Sequence, residues 1–99
     1  MRIVAVGKRA FVSGFMLAGA EGIVAESPDK ALSVIERLVE AGNVGLILVS
    51  TDVSEPIRPQ LSSIKTKRPV PLIYEVPPPG EKKEVKIEYR SMLREMLGI

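Results

Sequence analysis

Seven consecutive residues, Val44–Ser50, read V-G-L-I-L-V-S, with neither a charge nor the period-2 alternation of a half-wet strand. A strand of this kind is expected to be covered on both faces, as in the middle of a parallel sheet with helices on either side. Its carboxyl end leads into Ser50, Thr51 and Asp52, the position where open α/β sheets ordinarily gather their chemistry.

The segments around this run repeat one pattern. Residues 2–6 are apolar and β-branched and end at Gly7, which predicts a first strand. Phe11, Phe15 and Ala18 then share one helical face, with Val12, Met16 and Gly19 alongside. Gly14 sits inside that helix at a cost of up to ~1 kcal/mol relative to alanine, and close packing against the sheet or a neighbour is the expected reason. A turn through residues 19–22 leads to a short edge strand over residues 23–25. Ser27-Pro28 is the clearest helix start, because serine can accept an orphan amide and proline is pre-set for the first helical position. That helix is predicted to reach Ala41 and stop at Gly42-Asn43. Ala31, Leu32, Ile35, Leu38, Val39 and Gly42 form its inward stripe, and Lys30, Glu36, Arg37 and Glu40 its wet side.

After Ser50 the order loosens, since Pro56 and Pro59 each remove an amide donor. Two short helical pieces are expected, with Asp52 and Glu55 as a capping pair and Leu61 and Ile64 docking the second piece. Residues 70–76 form the fourth strand, with Tyr74 as a sheet residue and prolines at entrance and exit. The sum is β-α-β-α-β-α-β-α, an α/β fold with an open four-stranded parallel sheet, receiver- or flavodoxin-like in order 2-1-3-4. Helices cover both faces, and a distinct C-terminal helix follows.

Residues 1–76 are expected to be the sheet domain, residues 77–84 a proline-rich and charged spacer, and residues 85–99 the C-terminal helix. Pro77, Pro78, Pro79 and Gly80 resist helix and sheet alike. Tyr89, Met92, Leu93, Met96 and Leu97 follow at i, i+3, i+4, i+7 and i+8. Such a face can complete the sheet's second side or meet another chain, and the stiff spacer favours projection.

Composition removes most chemistry. There is no cysteine and no histidine, so thiolate nucleophiles, zinc-thiolate sites and the usual neutral-pH general base are unavailable. A net charge of +2 does not indicate nucleic acid, and no aromatic residue lies among Lys65, Lys67 and Arg68 to stack bases. Gly7-Lys8 lacks the upstream glycine and following hydroxyl of a phosphate-binding loop, with Arg2 and Arg9 in those places. A phosphorylatable Asp52 would need acidic neighbours after the first strand to hold magnesium, whereas Lys8 and Arg9 stand there as two solvated cations. No catalytic residue, cofactor or metal is expected. No apolar run reaches the ~20 residues of a membrane span, and a cytoplasmic location is expected. Asn43 and Gln60 are the only side-chain amides, a scarcity shared with hot-adapted proteins, so a thermophilic source is expected.

Several segments resemble the F subunit of the archaeal and vacuolar-type (A/V-type) rotary ATPases and ATP synthases, over essentially the whole length. They are R-I-V-A-V-G at the start, G-F-M-L-A-G over residues 14–19, G-L-I-L-V-S over residues 45–50, P-V-P-L-I-Y-E-V-P over residues 69–77, and Y-R-S-M-L-R-E-M-L-G-I at the end. Lys8 and Arg9, where relatives often carry acidic residues, depart from the pattern, as do Pro56 and Pro59. The resemblance implies a non-catalytic central-stalk protein of the rotor, seated on the coiled-coil D subunit. It would couple ATP synthesis or hydrolysis in the catalytic head to rotation and proton or sodium transport, touching the A and B subunits of the head transiently. Its place would be peripheral to the membrane. The partner-binding residues implied are Tyr89, Arg90, Met92, Leu93, Arg94, Met96 and Leu97, with Met92, Leu93 and Met96 as apolar anchors and Arg90 and Arg94 as polar steering. The Gly14 to Gly19 stretch is read as packing. The competing reading is a free-standing receiver-like signalling or small anion-binding domain.

Overall fold

The computed structural model describes residues 2–78 and 94–95. Four parallel strands, β1 (Arg2–Gly7), β2 (Glu21–Val24), β3 (Val44–Ser50) and β4 (Leu72–Val76), form one sheet in the order β2-β1-β3-β4. This is the expected doubly wound topology. Register places Ala5 beside Leu48 and Gly22, and Leu48 beside Tyr74. The apolar run of β3 is buried on both faces except for half-buried Gly45, as its lack of alternation requires.

Two cores result. On one face α2 (Pro28–Ala41), α3 (Thr51–Ser54), a 3₁₀ turn (Glu55–Ile57) and α4 (Arg58–Lys67) enclose Val4, Val6, Ile35, Ile47, Val53, Ile57, Leu61 and Ile73. On the other face α1 (Arg9–Leu17) lays Phe11, Val12 and Phe15 over Ala5, Leu46, Leu48 and Val76. The two phenylalanine rings meet at 5.0 Å between centroids, tilted by 57°.

Local signals explain α2 well. Ser27 Oγ accepts the Lys30 amide at 3.3 Å, Pro28 opens the helix, and Gly42 closes it at φ +75°. Ala31, Ile35, Leu38 and Val39 are buried, while Leu32 is half-buried and Gly42 exposed. The segment after β3, with Pro56 and Pro59, is broken as expected, but into three pieces rather than two, α3, the 3₁₀ turn and α4, with Leu61 buried and Ile64 half-buried.

Several expectations need correction. Strand β2 spans Glu21–Val24, earlier than residues 23–25, and β4 begins at Leu72 because Pro71 has no amide to give to a ladder. Helix α1 buries only Phe11, Val12 and Phe15. Met16 is 54% exposed and Ala18 and Gly19 are exposed, since the helix ends at Leu17 and the chain turns at Gly19 with φ +102°. Gly14 is not a packing glycine: a Cβ there would meet nothing within 4 Å. The close approach lies at Gly22, where a Cβ would fall 2.3 Å from Val12 Cγ1 and 2.8 Å from Met16 Sδ. Helix α1 therefore rests on β2 through the strand's missing side chain.

Candidate functional site

The carboxyl ends of β1 and β3 are neighbours on either side of the point where the chain reverses direction across the sheet, the usual ligand crevice of this architecture. Here that position carries an ion pair between the chain's own side chains. Lys8 Nζ lies 3.5 Å from Asp52 Oδ2, and the buried Ser50 hydroxyl donates to Asp52 Oδ1. Gly7 lies so close to this cluster that a Cβ would sit 2.9 Å from Ser50 Cβ and 3.0 Å from the Phe11 ring. Asp52 is thus not the helix cap that its sequence position suggests, and Lys8, though exposed, is not unpaired. Ser50 occupies the cap position and Asp52 lies in the first turn of α3, paired with Lys8. An aspartate poised for phosphoryl transfer needs acidic neighbours and a bound cation, whereas this one has a lysine beside it.

A second polar cluster ties β4 to the α3–α4 segment. Glu75 accepts from Ser54 Oγ at 2.6 Å and from Arg58 through Nε at 3.0 Å and Nη2 at 2.8 Å. The Arg58 guanidinium holds the Glu75 carboxyl below the usual carboxylate range, with the Ser54 hydroxyl acting in the same direction against partial burial. Ser54 is fully buried, and this carboxylate satisfies its hydroxyl. At the opposite end of the sheet Arg2 forks onto Glu21 at 2.8 and 2.9 Å and reaches Asn43 Oδ1 at 2.8 Å. That fork lowers the Glu21 carboxyl in turn, chiefly through the hydrogen bond. All three clusters are braces between elements; none presents a nucleophile with an adjacent base. Among the described residues no group of three or more metal-ligating side chains occurs.

The predicted partner-binding residues Tyr89, Arg90, Met92, Leu93, Met96 and Leu97 lie outside the described residues. Arg94 is described, helical and exposed, together with Glu95. What sequence reasoning missed is apolar surface on the sheet domain itself. Leu17 is 80% exposed, and Met16, Val24, Val70, Leu72 and Tyr74 also stand out to solvent. One signal was available: residues 10–20 contain no charged side chain, which is unusual for a helix with a wet side.

The sequence pattern of the family described as "ATP synthase (F/14-kDa) subunit" matches residues 3–96. An A-type ATP synthase F subunit from Methanothermobacter thermautotrophicus is 30% identical over 101 residues, covering 98% of this chain and 92% of that protein. One from Methanococcus vannielii is 34% identical, covering 92% and 93%. One from Methanococcus maripaludis is 41% identical over 66 residues, covering 66% of this chain and 67% of the relative. A match over almost the whole chain identifies it as a member of the ATP synthase F/14-kDa subunit family, a non-catalytic component of that complex.

Proposed function

We propose that this chain is a central-stalk component of an A/V-type ATP synthase, seated on the coiled-coil D subunit and turning with it. In that role it couples ATP synthesis or hydrolysis in the head to rotation and proton or sodium transport. Residues 1–76 act as a passive mount, residues 77–84 as a spacer, and residues 85–99 as a contact helix. Met92, Leu93 and Met96 anchor that helix, with Tyr89 and Leu97 beside them. Arg90 and Arg94 steer it toward the coiled coil and transiently toward the A and B subunits of the head. The observation that carries this reading is the match to the ATP synthase F/14-kDa subunit family over residues 3–96, and the Lys8–Asp52 ion pair, where a receiver would hold a cation, weighs against the competing reading.

No described helix is long and apolar enough to cross a membrane. The location proposed is cytoplasmic and peripheral, held through the complex. Scarce side-chain amides support a thermophilic source, and a melting midpoint above the ~45–65 °C of mesophile domains is expected.

Co-purification of the full chain with the coiled-coil D subunit tests the proposal. Leu93→Asp is expected to weaken that association by roughly 30-fold, the ~2 kcal/mol of a central anchor, while urea unfolding of the sheet domain stays unchanged. A chain that remains monomeric when mixed with the coiled coil removes the rotor reading. Global unfolding by Leu93→Asp would instead assign the last helix to the core.

A further inference from the structure

The outer edge of β4 has no strand beside it among the described residues, so its ladder groups on that side face outward. A groove of about 360 Å³ runs along this edge between Lys65 and Arg68 at the end of α4 and Pro71, Leu72 and Tyr74. Its two flanks differ in chemistry. Leu72 and Tyr74 point to the α1 side of the sheet, with Val76, and are 54% and 44% exposed. On the other side α4 docks through Leu61 and Ile64, and its last turn carries Lys65 and Lys67, followed by Arg68. None of these three cations forms an ion pair among the described residues; Arg68 only donates to the Val39 carbonyl at 3.4 Å.

From this geometry we infer that the β4 edge receives an extended segment of a partner protein in which apolar and acidic residues alternate. Pairing with β4 would send alternate side chains of the incoming strand to opposite flanks. Apolar ones would cover Leu72 and Tyr74, and acidic ones would meet Lys65 and Arg68. A second copy of the chain fits less well, because joining two β4 edges places two sets of cations on one face. The chain's own Glu84-Val85-Lys86-Ile87-Glu88 alternates too, but it sets Lys86 between its two acids, against the cationic flank. This surface is separate from the contact helix of the proposed function and does not depend on it.

The test is titration of the isotope-labelled full chain with a short peptide of alternating glutamate and valine, using a lysine–valine peptide as control. Amide signals of Leu72–Val76 and of Lys65 and Arg68 are expected to shift with the acidic peptide, and binding of the lysine peptide is expected to be at least about tenfold weaker. Lys65→Glu is expected to lose most of the discrimination between the two peptides. Tyr74→Ser, which leaves the cations in place, is expected to weaken binding while preserving it. The inference is overturned if the acidic peptide produces no shifts in β4, if both peptides bind alike, or if the shifts fall on the β2 edge. Exchange protection showing residues 84–88 already paired with β4 in the free chain would also overturn it.

Discussion

The two faces of the sheet solve the same burial problem in different ways. On the α2 side, three α-helices and a 3₁₀ turn cover the strands and their outer surfaces are charged, with Asp29, Glu36, Arg37 and Glu40 on α2 alone. On the α1 side, one helix covers the strands among the described residues, and Arg9 is its only charged side chain. The strand carboxylates do not face that side: Glu21 and Glu75 alternate with Gly22 and Tyr74 and so point with Ile23 and Ile73 toward the α2 core, which leaves Asp52, paired with Lys8 at the start of α1, at its margin. Among the described residues, a charged solvent surface and a largely apolar one therefore share a sheet. Function in a non-catalytic protein of this kind is to be sought on the largely apolar face and its β4 border.

The comparison breaks most sharply in the α2 core. Ile35 is fully buried between α2 and the sheet, and Ile35→Ala is expected to cost about 2–5 kcal/mol in urea unfolding. Leu17→Ala on the α1 side is expected to stay within about 0.5 kcal/mol, because its side chain already meets water. Equal losses at the two sites would mean that the α1 face is closed in solution.

Gly22→Ala probes the seam between α1 and β2. A Cβ there overlaps Val12 and Met16, and Val12 is buried and cannot swing away, so a loss of about 1–3 kcal/mol is expected. A neutral result would show α1 free to lift from the sheet.

On the α2 side, Glu75 links stability to pH. Its carboxyl is held below its unfolded value, so its contribution is fully present above the unfolded range near 4.5. That contribution is lost as pH falls through the lower folded value. Glu75→Gln is expected to flatten this part of the acid limb and to cost on the order of 1 kcal/mol at neutral pH, since Ser54 keeps an acceptor but Arg58 loses its charged partner. An unchanged acid limb would assign the pH dependence to other carboxylates.

How much of this was legible in the sequence follows from the range of each signal. The start and stop of α2 depend on Ser27, Pro28 and Gly42, each acting within a few residues, and the burial of β3 depends on its own seven apolar positions. Both could be read directly; right-handed crossovers implied the parallel sheet, and its strand order came by analogy with flavodoxin-like folds. The pairing of Lys8 with Asp52 joins residues 44 positions apart, as 52 − 8 shows, and Ser54 meets Glu75 across 21. No local pattern announces either contact, so Asp52 read as a helix cap and Lys8 as an unpaired cation. The exposure of Leu17 was partly readable. Phe15, Met16 and Leu17 advance ~100° each around a helix and cannot all face inward.

The smallest effect is expected at Gly14, and its sign is the informative part. Sequence alone places Gly14 in a helix and Gly22 in a turn, but at neither does it say whether a side chain would find room. Only the structure shows that the space at Gly22 is occupied and the space at Gly14 is open. Gly14→Ala should therefore stabilise the fold by about 0.4–1 kcal/mol, because alanine has less freedom to lose in the unfolded chain and costs nothing in helix α1. Equilibrium unfolding in urea measures this. A stabilised sheet domain that associates less well with the coiled-coil D subunit would place a partner against the bare backbone at Gly14, where an added methyl group holds a neighbouring helix away. Stabilisation with unchanged association would leave the β4 edge and the residues after Pro78 as the places where the protein meets its complex.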